Sequence, residues 1–231
     1  MASPSDRPRT TGRSRRVRAA ARPLVAVAAL GLLLGACGSD AGSDGTAPAE
    51  KTEIEGITRP EPLQVGDQVL PEVAPDGSTQ PFAFKAEPGK LLFVAFGYTN
   101  CPDVCPTTLY DIKKAKKQLG ADGDAIQVAF ATVDPNRDTA QVMNEYLGSF
   151  VDDGHPLRTE DQAELKAVED VFGISSQVVE QPDGRIEVAH TARSFVVDDQ
   201  GDVVVEWSFG TGPDAMAGDL AILLDRQAEA S

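Results

Sequence analysis

The sequence predicts an α/β domain built on a central mixed β-sheet flanked by helices, set behind an export segment and a linker. Two uninterrupted apolar runs, at residues 91–97 and 125–133, read as strands buried on both faces. Segments with helical spacing of apolar residues alternate with them. Late in the chain, Pro182-Asp183-Gly184 and Asp199-Gln200-Gly201 each separate two extended stretches and read as hairpin turns. At 231 residues the chain can build one sizeable core, and its length alone does not demand two.

The N-terminus is an address rather than part of that core. Residues 1–36 hold seven arginines and one acid, and residues 23–36 (PLVAVAALGLLLGA) are uncharged and apolar. This is the layout of a secretory signal, and the run is shorter than the roughly 20 residues a membrane span needs. It closes on Leu34-Gly35-Ala36-Cys37 and then turns polar, which resembles a bacterial lipoprotein signal cleaved before Cys37. The resemblance implies lipidation of Cys37 and a body anchored at the extracytoplasmic face of the cell membrane. Residues 37–60 are rich in Gly, Ala, Ser, Asp, Pro and Thr and read as a flexible tether. The folded domain is then expected over 61–231.

Net charge is −15, and beyond residue 36 it is −21, from 14 basic against 35 acidic side chains. Such a body repels phosphate backbones, which argues against nucleic acid as a partner.

Along the body, Asp76-Gly77 marks a hairpin within residues 68–86. After the first buried strand, Asp103 precedes a helix to about Leu119, with Pro106 in its tolerated first turn. Asp138 or Thr139 can cap a helix running to about Gly148. Residues 161–172 form a helix ended by Gly173. Extended segments 174–180 and 185–189, then 193–197 and 202–207, make the two late hairpins, and a last helix covers about 213–228.

The chemistry concentrates where the first buried strand ends. Cys101 and Cys105 follow it at a Cys-x-x-x-Cys spacing in Tyr98-Thr99-Asn100-Cys101-Pro102-Asp103-Val104-Cys105-Pro106. A strand leading directly into a cysteine pair at a helix start points to a thioredoxin-like fold. On a helix, positions i and i+4 hold their Cβ atoms about 5–6 Å apart. A relaxed disulfide wants roughly 3.5–4.5 Å, so a Cys101–Cys105 disulfide would be strained and easily reduced. Two thiolates gripping one metal meet less difficulty, and the helix N-terminus favours the thiolate.

Two histidines exist, His155 and His190. His190 ends one hairpin strand and can face the cysteine pair from a sheet edge. Two thiolates with one imidazole make a soft mixed site suited to copper or zinc. His155, in Asp153-Gly154-His155-Pro156, reads as a solvated loop residue, with the alternative that it completes a zinc site.

Three motifs in order carry a family resemblance: Gly97-Tyr98-Thr99-Asn100-Cys101-Pro102-Asp103-Val104-Cys105-Pro106-Thr107-Thr108-Leu109, Val133-Asp134-Pro135-Asn136-Arg137-Asp138-Thr139, and His190-Thr191 before Phe195-Val196-Val197-Asp198. They resemble the Sco/SenC family. The resemblance implies a membrane-tethered thioredoxin fold that binds Cu(I) or Cu(II) through Cys101, Cys105 and His190. It implies service in assembling the dinuclear copper site of cytochrome c oxidase subunit II, by delivering copper, by reducing thiols, or both. Asp134 matches an acidic position of the family near the site, and it would serve equally as a turn cap. Ala189 departs from the pattern, since many members carry an acid before the histidine. An extracytoplasmic thiol–disulfide oxidoreductase of the same fold is the alternative, although redox thioredoxins usually carry Cys-x-x-Cys.

Overall fold

A computed structural model describes residues 53–230. The signal segment, Cys37 and most of the expected tether lie outside the described residues.

The central sheet has seven strands: β1 (Val69–Val73), β2 (Thr79–Ala83), β3 (Leu91–Gly97), β4 (Ile126–Thr132), β5 (His155–Leu157), β8 (Arg193–Val197) and β9 (Val203–Ser208). Their order is β2-β1-β5-β4-β3-β8-β9. β3 runs parallel to β4 and antiparallel to β8, so the sheet is mixed as expected. Among the described residues the α-helices are α1 (Val104–Gln118), α2 (Ala140–Gly148), α3 (Gln162–Phe172) and α4 (Pro213–Ala230). None of the described helices is long and apolar enough to cross a membrane.

The continuous apolar run of β3 has a direct structural cause. Leu91, Phe93 and Ala95 point into a core with α1, α2 and α4, while Leu92, Val94 and Phe96 point into a second core with α3. Successive side chains of a strand alternate between faces, so a strand covered on both sides must be apolar throughout. Asp161 caps α3 by accepting from the N–H groups of Ala163 and Glu164, and Gly173 ends it at φ 66°, a conformation other residues adopt at a cost. The layout is thioredoxin-like, with the cysteine pair where β3 hands over to α1.

Three features differ from expectation. The first is β5, absent from the sequence reading because it has three residues and one is Pro156. His155 opens this strand rather than a solvated loop. Its Nδ1 lies 2.9 Å from Glu72 Oε1, and its ring centroid lies 4.7 Å from that of Phe82. The second is the hairpin of β6 (Ser176–Glu180) and β7 (Ile186–His190), which forms a separate two-stranded sheet. Most of its side chains are exposed, in contrast to the fully buried β3. The third is the boundary of the tether. The chain joins the body from Glu55, not from residue 61. Ile57 exchanges two 2.9 Å backbone bonds with Glu206, and the N–H groups of Glu55 and Gly56 donate to the buried Asp219 carboxylate at 2.7 and 2.9 Å. Composition hid this because the contacts are made by backbone. Gly56 is required there, since a Cβ would stand 2.4 Å from Val205 and 2.7 Å from the Trp207 indole nitrogen.

Candidate metal centre

β3 ends at Gly97 and the chain turns at once into the cysteine loop. Gly97 makes room for sulfur: a Cβ on it would lie 2.6 Å from Cys105 Sγ. The loop is pinned from below by Asp138, which is fully buried. Its carboxylate accepts from Thr99 N–H at 3.0 Å and from the hydroxyls of Thr99 and Thr132 at 2.6 Å each. Of the two residues that could cap α2, Thr139 does so, which frees Asp138 for this task.

α1 begins directly after the loop. Asp103, at its N-cap position, makes no side-chain capping bond. Cys101 Sγ instead accepts the backbone N–H of Cys105 at 3.3 Å. One orphan donor of the first turn is thus satisfied by a sulfur, which places that sulfur in the positive field of the helix end.

His190 arrives from the end of β7. Its Nε2 lies 3.8 Å from Cys105 Sγ, and the three groups offer ligand atoms that all lie within 4.8 Å of one another. Its Nδ1 is 3.2 Å from the carbonyl of Thr191. A carbonyl can only accept, so that nitrogen carries the proton and Nε2 is left bare toward the sulfurs. Both cysteines are buried and free, and the histidine is half-buried.

Burial sets the protonation states. It pushes the Cys105 thiol far above its ordinary value, with a further rise from its hydrogen bond with Cys101. It pushes His190 below the ordinary histidine value, against opposing effects of the Thr191 bond and the Glu169 charge. The ring is therefore neutral and ready to ligate, while a metal must displace the proton of Cys105.

Asp134 is buried but stands outside this cluster. Its carboxylate is bonded to Arg137 Nε. The Arg137 guanidinium lies 5.7 Å from the centroid of the Tyr98 ring, and that ring meets His190 edge-on at 6.0 Å. The main-chain carbonyl of Asp134 also closes the following turn by accepting from the N–H groups of Arg137 and Asp138. His155 is not among the clustered groups. Sequence reasoning passed over Tyr98, Arg137 and Glu169. A signal for Glu169 exists: it occupies the apolar face of α3 defined by Leu165, Val168 and Phe172.

A sequence profile of the SCO1/SenC family matches residues 76–225. The chain belongs to the SCO1/SenC family. A SCO2-like protein of Rickettsia prowazekii is 33% identical over 118 residues, covering 49% of this chain and 56% of that protein. A mitochondrial SCO1 homologue of Arabidopsis thaliana is 32% identical over 116 residues, covering 47% and 33%. The chain spans 62%, 56% and 62% of the length of three curated relatives that it matches. Among solved structures, the copper-bound ScoI of Bradyrhizobium japonicum superposes with a TM-score of 0.56 at 33% identity, over 66% of this chain and 96% of that one. The apo Sco1 protein of Thermus thermophilus gives 0.59 at 32%, over 77% and 98%.

Proposed function

We propose that this SCO1/SenC chain is a copper metallochaperone in which Cys101, Cys105 and His190 hold the metal. One observation carries the reading: an imidazole from residue 190 stands 3.8 Å from a thiol at residue 105, within a cluster that has two sulfurs and one bare ring nitrogen. Such a donor set suits Cu(I), and also Cu(II) with its preference for imidazole. Membership of a family with copper-bound relatives supports the same choice. Copper is cargo here. The site sits at the end of a strand and the start of a helix, and half-buried His190 is the most accessible of its three donors, the one an incoming ligand would displace to draw the metal away. The recipient is the dinuclear copper site of cytochrome c oxidase subunit II, or another copper protein. Cys37 carries a lipid that holds the protein at the extracytoplasmic face of the membrane. Asp134 supports the centre indirectly, through Arg137 and Tyr98.

The test is a titration of reduced protein with Cu(I) and with zinc, on wild type, Cys101→Ser, Cys105→Ser, His190→Ala and His155→Ala. Tight, near-stoichiometric copper binding is expected in wild type and His155→Ala, and its loss in the other three. A reduced wild type that takes up no copper overturns the reading. Tight uptake of zinc with weak uptake of copper on the same three residues would instead mark a zinc centre.

A second reading, thiol–disulfide exchange with a recipient, is favoured by the closeness of two free sulfurs. Turnover of a model disulfide that copper leaves unchanged would select it.

A further inference from the structure

Of the three clustered groups, Cys105 rides on α1 and Cys101 on the loop that leads into it, and both belong to the same packed core. The third rides on β7, which shares no ladder with the seven-stranded sheet. On one side His190 is joined to β8 through Thr191 and Ala192, whose carbonyl accepts from the Phe209 N–H at 3.0 Å. On the other side the bonds that hold its strand gather at the open end of the β6–β7 hairpin. Ser176 is the register partner of His190. Beside it, the Thr191 N–H donates to the Ser175 carbonyl at 2.9 Å, and the Ser175 N–H donates to Thr191 Oγ1 at 3.1 Å. The Ser176 hydroxyl donates to the carboxylate of Glu169.

Glu169 is an unexpected residue to find there. It lies on the core face of α3 and is 3% exposed. Burying a carboxylate is costly, and an apolar side chain would serve packing better. Its main chain is also tied to this end of the hairpin, because the Ile174 N–H donates to its carbonyl at 2.9 Å. Ala189, next to His190 in the chain, is exposed and offers the ring no polar side chain, so beyond the Thr191 carbonyl and the Tyr98 ring its strand is held from across the hairpin.

We propose that Glu169 is the positioning residue of His190. Its buried carboxylate, fixed on α3, clamps the end of β6 through Ser176 and so sets where the imidazole stands relative to the two sulfurs. This rests on the reading of Cys101, Cys105 and His190 as a copper site. The charge of Glu169 also reaches the ring, which joins the two groups electrostatically as well as through the hairpin.

The experiment uses the full chain as wild type, Glu169→Ala, Glu169→Gln, Ser176→Ala and His190→Ala. Each is titrated with Cu(I) against a chromophoric chelator, and each Cu(II) form is recorded by electron paramagnetic resonance. Loss of an outer partner of a metal-bound histidine typically weakens affinity about ten- to hundredfold. A loss of that size, with an altered Cu(II) spectrum, is expected for Glu169→Ala and Ser176→Ala. Glu169→Gln keeps an oxygen that accepts from Ser176, and is expected to stay close to wild type in both readouts. Ser176→Ala removes only a hydroxyl, so it reports even if Glu169→Ala fails to fold. Wild-type affinity and spectrum in Ser176→Ala, while His190→Ala changes both, would overturn the clamp and leave the copper site standing. If His190→Ala itself changes neither, the site reading fails and the clamp falls with it.

Discussion

The sulfur of Cys101 accepts the backbone N–H of Cys105 at 3.3 Å, so a candidate metal ligand also closes the first turn of the helix that carries its neighbour. Cys101→Ala should therefore lose copper binding and also destabilise α1. Removing an N-terminal cap costs about 1 kcal/mol. Cys101→Ser, which keeps an acceptor, should lose the copper and most of the destabilisation should vanish. Urea unfolding of the two apo variants checks this, and equal stabilities would refute the capping role.

Copper affinity should rise with pH and continue to rise beyond the ordinary thiol range. Burial holds the Cys105 thiol above that range, so a proton competes with the metal at every pH up to it. An ordinary cysteine would stop competing above about 8.5. His190 is shifted the other way, so its proton adds no extra steepness as pH falls through about 6.5. Competition titrations from roughly pH 6 to 10 measure both slopes. A plateau near 8.5 would contradict the effect of burial.

Gly97→Ala should damage the site from beneath. The new methyl group would meet Cys105 Sγ at 2.6 Å and the Phe130 ring at 3.0 Å. Overpacking of this kind costs about 1–3 kcal/mol. Lower stability together with weaker copper binding is expected, and unchanged copper affinity would mean that the sulfur has room to give way.

Asp219→Ala should weaken the whole body while sparing the metal centre. The Asp219 carboxylate accepts from the Trp207 indole at 2.8 Å and from two backbone N–H groups near residue 55. Each buried donor left without an acceptor costs about 1–3 kcal/mol. The denaturant midpoint should fall clearly, and less so for Asp219→Asn. Copper stoichiometry measured below that midpoint should stay the same. A loss of copper binding in the folded variant would contradict it.

The strands and helices that carry the cysteine pair were legible because their signals are local. β3 is apolar at every position because both its faces are covered, and α3 announces itself with Asp161 before it and Gly173 after it. Cys101, Cys105 and His190 were legible as a group through motif order, although 85 residues separate the last two. What escaped is what depends on contacts distant in sequence. β5 is too short to carry a pattern, and it exists because β4 and β1 offer it ladder bonds on either side. Asp138 looked like a helix cap, and only burial reveals that it grips Thr99 and Thr132. The entry of the chain at Glu55 rests on main-chain bonds, for which side-chain composition carries no signal.

That entry segment has a consequence for any shortened version of the protein. Ile57 and Leu63 are bonded to β9, the last strand on that side of the sheet, and Gln64 is bridged to Asp202 just before it. A chain begun at residue 61 would leave part of β9 without its neighbour, with free main-chain donors and acceptors beside Trp207. Unpaired margins of that kind recruit other chains and invite aggregation. The stretch that enters the body at Glu55 therefore doubles as a guard rail for solubility.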